Sequence, residues 1–213
     1  MLKAFGGKKN LDKMEYVTYT LSRSAYMENG DTVRTKQLWY VHLQKPLVIR
    51  LDIGAGDTTT FSTSFYNPEE LSEKAEERVI YEGLLRSRFF NFLYLLTSAE
   101  ARFEYVKPYT YHNSQVDIIR ASSRQHPQLT VDLFVNKRGQ ILTSSSPNPA
   151  SGEYVRFADE LDYVKVAGKI TFPLVYRIVQ EEKVLAEGLF SDMQINKLSP
   201  FWQKKLQVLG IAQ

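Results

Sequence analysis

Period-two alternation of apolar and polar residues dominates the first third of the chain. Val17, Tyr19 and Leu21 fall on one side of a segment whose other side carries Thr18, Thr20 and Ser22, the signature of a half-buried strand. Glu28-Asn29-Gly30-Asp31 holds an Asn-Gly pair, which favours a tight hairpin turn. On the returning strand Val33, Thr35, Gln37, Trp39, Val41 and Leu43 oppose Arg34, Lys36, Leu38, Tyr40 and His42. Lys45-Pro46 breaks the run, and Leu47, Ile49, Leu51 and Ile53 predict the inner face of a third strand. Gly54-Ala55-Gly56-Asp57 turns the chain into a fourth strand over Thr58 to Tyr66, with Phe61 and Phe65 on one face. Before all of these, the first ten residues predict a short helix ending at Gly6-Gly7, with a further turn at Asn10 to Lys13.

Helical patterning begins at Asn67, a suitable N-cap followed by Pro68 and two glutamates, residues that favour a helix start. A charged helix is expected through Arg78, then a second from about Tyr81 to Ser98. Leu85, Phe89, Phe92, Leu93 and Leu96 line one side of the second helix, and Phe90, Tyr94 and Leu95 cover much of the rest. A helix apolar nearly all round needs cover on more than one side. Strands are predicted again at Arg102–Val106, Gln115–Ala121, Leu129–Val135, Gln140–Thr143, Glu153–Lys165, Phe172–Gln180 and Val184–Ile195. Lys137-Arg138-Gly139, Val166-Ala167-Gly168-Lys169 and Glu181-Glu182-Lys183 read as turns, Ser144 to Gly152 as a loop. Ser199-Pro200 opens a short C-terminal helix to Leu209. The sum is about eleven strands with two or three helices. No linker divides the chain, so residues 1–213 are expected to form a single domain.

Composition narrows the function classes. A chain of 213 residues can bury about 70% of its unfolded surface without a metal or disulfide staple. Cysteine is absent, which removes thiol nucleophiles and Cys-based zinc sites. The 27 basic and 24 acidic residues leave +3, too little for the broad electrostatic footprint of nucleic-acid binding. No apolar run approaches a membrane-spanning helix, and Met1 to Gly7 lacks the apolar core of a signal peptide.

The last third carries a resemblance. Tyr163-Val164-Lys165-Val166-Ala167-Gly168-Lys169-Ile170-Thr171-Phe172-Pro173 fits a strand followed by a V-x-G-x-x-x-P turn. Val175-Tyr176-Arg177-Ile178, Val184 to Leu189 and Ser191-Asp192-Met193-Gln194-Ile195-Asn196 supply a hairpin and a closing S-D-x-x-x-N strand. This order resembles the C-terminal part of the outer-membrane lipoprotein carrier (LolA/LolB-like) superfamily. Ala4 to Gly7 and Val17 to Leu21 are similar to the front of an uncharacterised bacterial branch of it. The resemblance implies an α+β fold: a strongly curved, mainly antiparallel sheet, an incomplete barrel, with the helices on its concave side. It also implies an apolar ligand between sheet and helices, since each acyl CH2 withdrawn from water contributes about 0.8 kcal/mol. The superfamily's functional arginine has no assigned counterpart in this sequence.

Chemistry-bearing residues do not assemble into a catalytic or metal motif. His42, His112 and His126 lack metal-site spacing, Gly54-Ala55-Gly56 lacks the Lys-Ser/Thr of a P-loop, and no G-x-S-x-G elbow exists. The glutamates from Glu69 to Glu77 are interleaved with Lys74 and Arg78 in the manner of a solvated helix. Glu153, Asp159, Glu160 and Asp162 show no convergent calcium loop.

An aromatic and aliphatic stripe remains. Tyr19, Trp39, Phe61, Phe65, Phe89, Phe92, Leu93 and Leu96 are the candidate ligand-binding residues. Under the resemblance, this is a non-enzymatic periplasmic or outer-membrane-associated protein without a cofactor. It would bind a hydrophobic small molecule, a lipid or a lipoprotein acyl chain, with peripheral membrane association open and nucleic acid excluded. The alternatives are a protein-interaction or structural module whose concave face is fully packed, and a cytoplasmic location.

Overall fold

A computed structural model describes residues 2–42, 47–53, 63–66, 101–111, 113–123, 130–147, 154–158, 163–166, 170–180 and 183–211. The first strands follow the sequence pattern closely. β1 (Tyr16–Tyr26), β2 (Thr32–His42) and β3 (Leu47–Ile53) form an antiparallel meander, and β4 (Thr63–Tyr66) pairs with β3. The β1–β2 turn closes through Met27 N–H donating to Asp31 O, with Gly30 at φ 88°.

β5 (Ala101–Tyr111), β6 (Ser114–Ser123), β7 (Thr130–Asn136), β8 (Ile141–Pro147) and β9 (Tyr154–Ala158) form a second meander. β12 (Val175–Gln180) joins it to β13 (Lys183–Ile195), and β13 pairs with β1. Among the described residues the result is one open, fully antiparallel sheet of eleven strands in the order β4-β3-β2-β1-β13-β12-β9-β8-β7-β6-β5, with β4 and β5 at its edges. Among the described residues β10 (Tyr163–Val166) and β11 (Ile170–Pro173) pair with each other alone.

Several boundaries differ from the expectation. Within Glu153–Lys165, β9 belongs to the main sheet and β10 to the separate pair, and Phe172–Gln180 divides at Leu174, with Ile170 and Phe172 in the core on one face. Ser144 to Pro147, read as loop, is strand; Thr143, Ser144 and Ser145 are buried. Backbone pairing to both β7 and β9 outweighs their loop-like composition. β5 runs on through Pro108, which an edge strand tolerates because it needs hydrogen bonds on one side only.

β1 is buried on both faces: Val17, Tyr19 and Leu21 on one, Thr18 and Thr20 on the other. Cross-strand register extends these two faces over the sheet. On the Tyr19 face, the N-terminal turn Leu2–Phe5 and the one-turn helix α1 (Lys8–Leu11) contribute Phe5 and Leu11, and Met14 follows in the connection to β1. They pack with Trp39, Val41, Leu133, Ile141, Phe172 and Phe190. On the Tyr40 face, helix α2 (Pro200–Val208) seats Trp202 and Leu206 against Tyr40, Ile49 and Leu51. The predicted cap holds: Ser199 Oγ accepts from Trp202 N–H at 3.3 Å, a contact worth about 1 kcal/mol.

α2 therefore lies on the side opposite Tyr19 and Trp39, so among the described residues α1 and α2 do not share one face. The physical reason is in the register: Leu38↔Leu51 and Tyr40↔Ile49 make a second apolar patch on the side read from sequence as polar. Among the described residues no helix is long and apolar enough to cross a membrane.

Candidate functional site

The alternation of β1 and β2 brings two of the expected binding residues together. Tyr19 and Trp39 are register partners with nearly parallel rings, centroids 5.9 Å apart and planes at 10°. Each is 3% exposed. The Phe190 ring meets Tyr19 edge-on at 5.4 Å, and Tyr176 leans on Phe190 at 5.6 Å. Burial, with Tyr176 adding to it, holds the Tyr19 phenol well above its usual pKa. It is therefore neutral at physiological pH and acts as apolar wall.

Phe65 falls in register with Ile49, in the Tyr40 row rather than the Trp39 row. Phe61, Phe89, Phe92, Leu93 and Leu96 lie outside the described residues, as do the predicted helices between Asn67 and Ser98. Phe190, Tyr176, Phe172 and Phe5 were not among the expected site residues. Phe190 was visible in the alternation Ala186, Gly188, Phe190, whereas nothing local marks Phe5 or Phe172 as meeting Tyr19's face.

A polar margin adjoins the aromatic cluster. Trp39 Nε1–H donates to Gln37 Oε1 at 3.1 Å, and Gln37 Nε2–H donates to Asp52 Oδ1 at 2.7 Å. Asp52 also accepts from Arg50 Nε–H at 3.0 Å, while the Arg50 guanidinium stands 5.9 Å from the Trp39 ring centroid. The pairs Trp39↔Arg50 and Gln37↔Asp52 put all four on one face. β3 thus alternates apolar residues toward α2 with a charged pair toward Trp39.

The same face holds an open pocket of about 810 Å³ beside the N-terminal turn. Ala4, Ile119 and Val135 form its apolar surface, and Lys3, Asp117 and Arg138 stand on its rim. Among the described residues no three His, Cys, Asp or Glu side chains converge on a metal position. What the arrangement offers chemically is apolar contact with a charged border.

No family model and no curated protein matches the sequence. Solved structures do match in fold. A LolA superfamily protein of Nitrosomonas europaea superposes with a TM-score of 0.57 at 8% identity, covering 96% of this chain and 94% of that one. A putative outer membrane lipoprotein-sorting protein domain of Vibrio parahaemolyticus gives 0.56 at 13% identity, covering 95% and 94%. A DUF1329 family protein of Desulfovibrio piger gives 0.54 at 11%, covering 92% of each. Identities this low speak for architecture alone, and in architecture this open antiparallel sheet is LolA-like.

Proposed function

We propose that this chain, acting as one unit, binds a hydrophobic ligand without catalysing a reaction: a lipid, a lipoprotein acyl chain or another apolar molecule held against the Tyr19 face. The observation that carries the reading is the open pocket of about 810 Å³ on that face, apolar at Ala4, Ile119 and Val135, in a LolA-like sheet. Burial of a decyl-length chain there would contribute several kcal/mol at about 0.8 kcal/mol per CH2. The sheet would curve around this face, and Phe61, Phe89, Phe92, Leu93 and Leu96 would complete the wall. A periplasmic or outer-membrane setting in a bacterium suits such a role.

A second reading has its own support. Tyr19, Trp39 and Phe190 are at most 8% exposed, so the centre of this face is already packed. In that case the protein is an interaction module whose partners meet loops or edges. Native mass spectrometry of protein purified from cells, followed by organic extraction, separates the two. A co-purifying lipid mass supports the carrier reading. A bare 24.6 kDa species that stays empty after lipid challenge overturns it in favour of the module.

A further inference from the structure

The Tyr40 face carries a second recess, about 680 Å³, far from α2 along β1 and β2. Its origin is a size mismatch between neighbouring strands. Ser22 and Ser24 are short side chains at the middle of the recess, on β1. Their register partners are long: Lys36 and Arg34 on β2, Leu189 and Glu187 on β13. Small residues flanked by large ones on both sides leave a trough along β1.

The two walls differ. Arg34 and Lys36 are two residues apart on one strand, about 7 Å, with side chains on the same face. Neither has a carboxylate partner within salt-bridge distance among the described residues. Across the trough Glu187 is already engaged. Tyr26 Oη–H donates to its Oε1 at 2.7 Å, and Arg177 Nε lies 3.6 Å from its Oε2. The single acid of the recess is thus matched by Arg177, leaving the β2 wall cationic. Next to that pair the surface turns apolar. Leu189 is 49% exposed, and Val175 extends the apolar surface on β12, whereas Ile53 lines the recess beyond Lys36 on β3.

We propose that this trough binds an anionic amphiphile. A phosphate or carboxylate head would sit between Arg34, Lys36 and the Ser22 and Ser24 hydroxyls, with its alkyl part over Leu189 and Val175. Two cations with two hydroxyls supply charge-assisted hydrogen bonds to an oxyanion. Exposed leucine and valine supply the apolar contact that a free inorganic ion cannot use. This site is separate from the Tyr19 face and stands or falls independently of it.

The test is isothermal titration with decyl phosphate below its micellar concentration, against inorganic phosphate and decyl maltoside. Decyl phosphate should bind at least about tenfold tighter than either control. The double variant Arg34→Glu/Lys36→Glu should lose at least about tenfold of that affinity, and Arg34→Gln/Lys36→Gln a smaller part. Ser24→Trp, which fills the trough without altering charge, should also weaken binding. Circular dichroism confirms that each variant is folded. Equal affinity for inorganic phosphate overturns the amphiphile, and equal affinity for decyl maltoside overturns the role of the cations. Affinity unchanged in the charge variants, with a fluorescence shift in a Trp202→Phe background where Trp39 is the remaining tryptophan, places the ligand on the Tyr19 face. That outcome overturns this inference while supporting the carrier reading.

Discussion

The Tyr176 ring lies directly over the backbone of Gly188, its register partner across β12 and β13. A Cβ at residue 188 would come within 2.6 Å of Tyr176 Cζ and 2.9 Å of Leu21 Cδ1. Glycine is therefore required at this position by close approach, and it lets Tyr176 reach Phe190 and extend the aromatic cluster under Tyr19. Gly188→Ala should destabilise the fold by about 1–3 kcal/mol through overpacking, read as a lowered urea midpoint. In a Tyr176→Ala background the same substitution should cost clearly less, because the ring it strikes is gone. Equal costs in both backgrounds would mean that the ring is not the obstacle.

Asn196 fastens the N-terminal segment to the end of β13. Its Oδ1 accepts from Glu15 N–H at 2.8 Å and Tyr16 N–H at 3.3 Å, and its Nδ2 donates to Lys13 O at 2.6 Å. Its own φ is 51°, a left-handed conformation that asparagine tolerates better than alanine. Asn196→Ala should cost about 1–3 kcal/mol, from lost hydrogen bonds and backbone strain together. Asn196→Gly should cost less, since only the hydrogen bonds go. Hydrogen exchange at the Glu15 and Tyr16 amides should accelerate in both variants; unchanged exchange would show that the side chain does not hold this segment.

Asn196 closes the S-D-x-x-x-N stretch that begins at Ser191. Its local pattern announced a strand, but its meaning is geometric. Asp192, at φ 53°, marks the irregularity where β13 shifts register against β1 near Tyr19, and Asn196 terminates the strand. Strand existence along β1, β2, β6, β7 and β13 was legible because period-two alternation is local. Which face each strand offers was not. Leu38 and Tyr40 share a side with Lys36 and His42, so β2 looks one-sided until α2, over 150 residues later, covers Tyr40. The detachment of β10–β11 was equally hidden, since a strand that leaves the sheet has the same alternation as one that stays. For the candidate site, Tyr19 and Trp39 emerged from alternation alone. Phe5 and Phe172 join them only through contacts between distant parts of the chain.

The Gln37 side chain is 8% exposed and carries a relay from Trp39 to Asp52. Replacement by Met keeps approximate volume and removes the acceptor for the buried indole N–H. Gln37→Met should destabilise by about 1–3 kcal/mol, the cost of a buried donor left without its partner. In a Trp39→Phe background, where no N–H needs an acceptor, the cost should shrink. Urea unfolding of the four proteins of this cycle decides it; identical costs would show that the indole hydrogen bond carries no net stability.

The pH dependence of stability should reveal two of the buried phenols, Tyr40 and Tyr19, at the alkaline end. Tyr40, stacked on Tyr16 at 5.5 Å and touching Trp202, has its pKa pushed up to about 12, first by burial and then by Tyr16 and Glu15. Tyr19 is raised well above the usual value, mainly by burial. An unfolded chain releases these protons near pH 10, before the folded state does. The stabilisation is thus complete below about pH 10 and is lost as pH rises through the folded-state values. The urea midpoint should stay level from neutral pH to about 10 as far as these groups decide it, then fall toward 12. Tyr40→Phe should flatten part of that fall, because the unfolded chain then has one phenol fewer to ionise. A variant whose alkaline decline matches the parent's would show that Tyr40 ionises as freely in the folded protein as in the unfolded chain, and that α2 does not shield it.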